Sequence, residues 1–115
     1  MQIDTMTLEE IWQVIDQKAN EHPEYIQEMD AVYVFDITGD EGSTYGLVIK
    51  DGKAEVVKGD EVDADCTLIM NVENFKKLLQ GNLNSATAFM TGRLKVKGNM
   101  GLALKLESIL KKYSF

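Results

Sequence analysis

Residues 93 to 97 read Arg-Leu-Lys-Val-Lys, polar and apolar in strict turn. That is the period of a strand buried on one side with its charged side in water. A strand of this kind commits the chain to a sheet covered on one face. The run Ala31 to Thr38 is different, because Val32, Tyr33, Val34, Phe35 and Ile37 place apolar groups on both faces and so predict a central strand. A turn is read at Gly39-Asp40-Glu41-Gly42. Tyr45, Leu47 and Ile49 then share one face, Asp51-Gly52 is the strongest hairpin signal in the chain, and Ala54 with Val56 continue the inward pattern. A fourth strand is expected over Cys66 to Met70, after the acidic loop Gly59 to Asp65.

Helices fill the remainder. Thr7-Leu8-Glu9-Glu10 fits a capping box, and Leu8, Ile11, Trp12, Ile15 and Ala19 make a helical stripe ending near Asn20. Pro23 either begins a second short helix or continues the turn. Asn71 is placed to cap a helix with the stripe Val72, Phe75, Leu78 and Leu79, ended by Gly81; a short helix follows at Ala86 to Met90, and Asn99 caps a last one. The order predicts an α+β fold, a five-stranded mainly antiparallel sheet with helices packed on one face.

At 115 residues the chain has the size of one domain, 1–115, with one core. No apolar run approaches the ~20 residues that span a bilayer, and no export signal is visible at the start. The single cysteine, Cys66, fits a reducing compartment and reads as a small packing residue. A cytoplasmic protein is expected. The net charge of −7 argues against nucleic acid as a partner. Yet the charges are uneven: Asp60, Glu61, Asp63 and Asp65 crowd the middle, while Arg93, Lys95, Lys97, Lys105, Lys111 and Lys112 fall in the last quarter. A local basic face can survive there, although a solvated strand and lysines near a helix C-terminus account for the same residues.

Catalytic chemistry has little to work with. His22 is the only histidine and stands beside Pro23 in a polar stretch, so neither a Ser-His-Asp set nor a Cys-His pair can be assembled without it. One His and one Cys do not make a zinc sphere. The acidic loop lacks the sixth-position glycine and terminal glutamate of a calcium loop, and the glycines from Gly92 to Gly101 match no dinucleotide or phosphate-loop pattern. No catalytic residue, metal or cofactor is expected, and the chain reads as no enzyme.

The segments Ala88-Phe89-Met90-Thr91-Gly92, Gly92-Arg93-Leu94-Lys95-Val96 and Gly98-Asn99-Met100, followed by the leucine-rich run Leu102 to Leu110, closely resemble the sterol carrier protein 2 family. Its hallmark is a helix ending in Ala-Phe-x-x-Gly, a Gly-Lys/Arg-Leu-Lys-Val/Ile strand, Gly-Asn/Asp-Met and a closing helix. The likeness is specific over Gly81 to Leu110 and extends to the rest of the chain only in the order of elements. Asn84-Ser85 stand where many members carry proline, and Tyr113-Ser114-Phe115 stand where peroxisomal members end in a Ser/Ala-Lys-Leu tripeptide.

The resemblance implies an apolar tunnel between sheet and helices and a noncovalent carriage of lipids. The lining it implies is Phe35, Leu47, Ile49, Leu68 and Met70 from the sheet, with Phe75, Phe89, Met90, Leu102 and Leu106 from the helices. Met100 and Leu104 fall outside the core stripe of the last helix and are candidates for a portal or docking surface. The expected partner is a lipid or fatty-acyl ligand, with a transient membrane or enzyme contact. Two other roles fit the same residues: an interaction or dimerisation module, and an acyl-presenting accessory domain of a lipid-metabolising enzyme.

Overall fold

The capping box at Thr7 forms as written. In the computed structural model, which describes residues 3–39, 42–113 and 115, the Glu10 amide donates to Thr7 Oγ1 at 3.2 Å and the Thr7 amide donates to the Glu10 carboxylate at 3.0 Å. They open α1 (Leu8–Glu21), whose stripe Leu8, Ile11, Trp12, Ile15 and Ala19 is buried. At Pro23 the chain makes a single 3-10 turn, Pro23–Tyr25.

The sheet comprises β1 (Ala31–Thr38), β2 (Thr44–Lys50), β3 (Lys53–Lys58), β4 (Cys66–Asn71) and β5 (Lys95–Gly98), in the order β3-β2-β1-β4-β5. β1 is central, as its two-sided apolar pattern demands. Asp40 and Glu41, in the expected turn after β1, lie outside the described residues. Asp51 and Gly52 both have positive φ, 54° and 74°, the backbone of a tight β2–β3 hairpin whose twist matches its strands. Three pairings are antiparallel, but β1 and β4 run parallel, with Phe35 opposite both Tyr45 and Leu68. A parallel pair needs a long crossover, and here the β2–β3 hairpin with the 3-10 turn Gly59–Glu61 supplies it.

α2 (Val72–Leu79), α3 (Ser85–Met90) and α4 (Met100–Tyr113) complete the chain. Asn71 Oδ1 accepts from the Asn74 amide at 2.8 Å, and Asn99 Oδ1 from the Leu102 amide at 3.2 Å, so both expected caps are made. β5 is shorter than the alternation predicts and starts at Lys95, although Leu94 is still buried.

One member of the acidic loop has a structural task that the sequence did not disclose. Asp65 accepts from the Val32 amide through Oδ2 at 2.8 Å, its own amide donates to the Val32 carbonyl, and its carbonyl accepts from the Asn99 amide at 3.1 Å. It thus ties the start of the parallel pair to the start of α4. Gly98 passes this junction at φ +90°, where a Cβ would lie 2.5 Å from the Asp65 carbonyl oxygen. Any other residue would meet both backbone strain and a collision there.

Candidate functional site

The inner face of the sheet and the helices above it enclose a continuous apolar cluster. Trp12 of α1 lies between Tyr45 and Phe75, stacked at centroid distances of 4.9 and 5.4 Å, with Phe35 edge-on at 5.1 Å. Aromatic groups so arranged gain contact beyond the area they bury. The Trp12 indole Nε1 is buried and has no hydrogen-bond partner among the described residues. An unpaired buried donor carries a desolvation cost of about 1–3 kcal/mol.

At the edge of this cluster, lined by its members from β2, β3, α1 and α4, is a small cavity of about 20 Å³ with an apolar wall. Such a volume admits roughly one water-sized sphere. Leu47, Ile49 and Ala54 form its floor, Ile15 and Leu106 face it from the helices, and Tyr113 and Phe115 close one end. That end is clasped to α1. The Tyr113 hydroxyl donates to the His22 carbonyl at 2.7 Å, Lys18 Nζ donates to the Tyr113 carbonyl at 3.3 Å, and the same ammonium stands 5.2 Å from the centre of the Phe115 ring. Burial, with the negative charges of Glu24 and of the ionisable Tyr25 hydroxyl nearby, pushes the Tyr113 hydroxyl up to about 12, so it remains a donor throughout the neutral range. Larger depressions on the surface are open and charged, as between Asp4, Lys76, Lys77 and Arg93.

The structure brings most of the expected lining together. Phe35, Leu47, Ile49, Leu68, Met70, Phe75 and Leu106 are all buried in the one cluster. Leu102 is half-buried at its margin, its carbonyl accepting from the Tyr33 hydroxyl at 2.8 Å. Phe89 and Met90 are not in the cluster: they are 45% and 83% exposed at the end of α3. Ala88 is the residue of that segment that turns inward, and a six-residue helix has room to bury one side only. Leu104 is 46% exposed, while Met100 is half-buried and packs against the core cluster. The cavity walls Ile15, Ala19, Ile26, Ile109 and Tyr113 were absent from the expected lining. For all but Ile26, which follows the Pro23–Tyr25 turn, the signal was the apolar stripes of the first and last helices, present without any mark separating lining from filling.

The groups with reactive chemistry are placed for other ends. His22 is exposed, with Nδ1 3.1 Å from the Glu24 carboxylate. Cys66 is fully buried, and burial together with the Asp65 charge raises its thiol above the ordinary value, which suppresses the nucleophilic thiolate. Among the described residues no group of three His, Cys, Asp or Glu is placed to hold a metal ion.

The α+β arrangement of a five-stranded sheet covered by helices is the fold of the sterol-carrier-protein domains of known structure. The chain belongs to the SCP-2 sterol transfer family, whose model matches residues 11–111. It is 38% identical over 108 residues to hydroxysteroid dehydrogenase-like protein 2 of Xenopus laevis, covering 93% of this chain and 25% of that protein. To human sterol carrier protein 2 it is 32% identical over 103 residues, covering 86% of this chain and 19% of that one. The chain therefore spans about a quarter or less of these relatives. Sterol carrier protein 2 from Yarrowia lipolytica in its apo form superposes with a TM-score of 0.73 at 30% identity, over 99% of this chain and 98% of that chain. The sterol carrier protein domain 2 of Helicoverpa armigera gives a TM-score of 0.73 at 26% identity, over 91% and 86% of the two chains.

Proposed function

We propose that this domain binds an elongated apolar lipid between its sheet and helices, without covalent chemistry, and carries it between sites. The observation that carries this is the continuous apolar cluster with an enclosed apolar cavity at its edge, in a chain whose family is named for sterol transfer. The driving force is partition: each buried CH₂ contributes about 0.8 kcal/mol, so an acyl chain of about sixteen carbons offers on the order of 10 kcal/mol gross. Association and ordering remove several kcal/mol, which leaves micromolar or tighter binding. A cavity of about 20 Å³ is far too small for such a chain. Cargo must therefore separate the walls, and the end closed by Tyr113 and Phe115 is held to α1 by the Tyr113 and Lys18 hydrogen bonds that would have to yield if cargo entered there.

The free, buried cysteine supports work in a reducing compartment such as the cytoplasm. No helix among the described residues is long and apolar enough to cross a membrane. A second role, as an accessory unit presenting acyl groups to an enzyme, is favoured by one observation: relatives in which this chain's counterpart is about a quarter of the protein are named as dehydrogenase-like.

Titration of the delipidated protein with fluorescent acyl and sterol analogues, with displacement by unlabelled lipid, tests the carrier role. Saturable binding in the micromolar range or below is the expected outcome, with lipid recovered by mass spectrometry from organic extract of natively purified protein. Folded protein that binds neither chain nor ring lipids saturably would overturn it.

A further inference from the structure

In a chain of net charge −7, one surface depression has no acid in its wall. It has a volume of about 340 Å³ and lies where the parallel strands β1 and β4 end side by side, with Thr38 paired to Asn71. The start of α2 and the Gly92-Arg93 approach to β5 complete the wall, and Lys95 belongs to it from β5, opposite Ile69. Two cations, Arg93 and Lys95, thus share one depression with three neutral hydrogen-bonding side chains, Thr38, Asn71 and Asn74. It has no residue in common with the cavity closed by Tyr113 and Phe115.

Arg93 is fixed at three points. Its amide donates to the Ala88 carbonyl at 2.9 Å, its carbonyl accepts from the buried Asn74 side chain at 3.4 Å, and its Nε donates to Thr91 Oγ1 at 3.1 Å. The two terminal guanidinium nitrogens remain, and neither Arg93 nor Lys95 joins an ion pair among the described residues. Asn71 Oδ1 is taken up by the Asn74 amide at 2.8 Å, so what the Asn71 side chain has left to offer is its Nδ2 donors. A neighbouring depression that also touches Arg93 is different in kind. Asp4 and Glu73 stand in its wall, Lys76 donates to the Asp4 carbonyl at 3.0 Å, and Lys77 pairs with Glu73 at 3.3 Å. Its lysines are already engaged.

We propose that the acid-free depression binds the phosphate group of a small, soluble phosphate monoester. A guanidinium held in place presents a fork that fits two oxygens of such a group, and an ammonium beside it adds a second charge. Two cations without an acid match a group that carries about −1.5 to −2 at neutral pH, where a carboxylate brings one charge only. The Thr38 hydroxyl and the Asn71 Nδ2 supply neutral donors for the remaining oxygens. A volume of about 340 Å³ falls within the roughly 300–1,000 Å³ of small-molecule sites, so the depression has room for the rest of the ester beside its phosphate. The site is independent of the carrier role, which can fail without affecting it.

Titration of isotopically labelled protein with glycerol phosphate, followed by NMR at constant ionic strength, is the test. Saturable shifts of the Asn71, Asn74, Arg93 and Lys95 amides are expected, with a Kd of about 1 mM or tighter. Arg93→Gln should weaken binding at least about tenfold. Arg93→Lys should recover only part of that loss, because it keeps the charge without the fork. Lys95→Gln should also weaken binding, whereas Lys76→Gln, in the neighbouring depression, should leave it unchanged. Lys95 is exposed on an edge strand, so its variant carries the test should Arg93→Gln lower the melting temperature. No saturation below about 10 mM, acetate bound as tightly as the phosphate ester, or a loss at Lys76→Gln with none at Lys95→Gln would each overturn the proposal. Shifts produced by phosphatidic acid vesicles and not by glycerol phosphate would make the ligand a lipid headgroup and overturn it as well.

Discussion

Phe75 and Phe89 are the same side chain with opposite fates. Phe75 is fully buried against Trp12 and Phe35, whereas Phe89 is nearly half exposed at the end of α3. Phe75→Ala should cost about 3–5 kcal/mol, the range for emptying a packed aromatic site. Phe89→Ala should stay within about 0.5 kcal/mol, as surface changes do. Urea midpoints of the two variants check this, and a large loss at Phe89 would put its ring in the core. Glu107 offers a second check. Burial works against its charge, yet the bonds from Ser85 and the ion pair with Lys111 outweigh it and hold its carboxyl below the ordinary 4.5. A lowered folded value means stability that is present above 4.5 and is lost as pH falls through that lower value. Glu107→Gln should therefore cost about 1 kcal/mol at neutral pH, and the gap between parent and variant should close on acidification. A gap that persists at low pH would show that charge is not what holds α3 to α4.

The clasp between the end of α4 and the end of α1 was not visible in either helix alone. Tyr113 reads as one more member of an apolar stripe, while its hydroxyl spans to the His22 carbonyl across 91 positions of chain. Tyr113→Phe keeps the ring and removes the bond, at a cost of about 1 kcal/mol. We expect faster amide exchange in the last turn of α4 and faster release of a fluorescent acyl probe, measured by hydrogen exchange and stopped flow. Unchanged release would place cargo access elsewhere than at this end. The hairpin at Asp51-Gly52 and the caps at Thr7, Asn71 and Asn99 were legible because each is satisfied within a few residues. The parallel β1–β4 pairing was not, because it depends on which side of β1 the returning chain takes.

The radius of gyration of 12.8 Å is that of a compact domain of this length, and a cavity of about 20 Å³ is consistent with a core packed against itself. Cargo binding is then coupled to expansion of that core, and it must still stabilise the fold by mass action. At a free cargo concentration of about 100 times Kd the gain is about 2.7 kcal/mol. The denaturant midpoint should rise accordingly with acyl or sterol cargo and remain fixed with a soluble short-chain analogue. No rise at saturation would mean that the lipid is held equally well by unfolded chain, and therefore not in a folded site.

The alternation of Arg93 to Lys97, the two-sided apolar run of β1 and the helical stripes set the elements and their inward faces, since strand and helix periods are local consequences of backbone geometry. The charge segregation that leaves Gly81 to Leu106 without an acid is likewise a property of the sequence. Folding alone decided that Asp65 would serve as a brace and not as an open acidic ligand, that Phe89 and Met90 would stand outside the core, and that the cluster would pack closed with only a minute cavity at its edge. Each of these turns on contacts between residues far apart in the chain, and a side chain's burial is fixed by what the rest of the molecule brings over it.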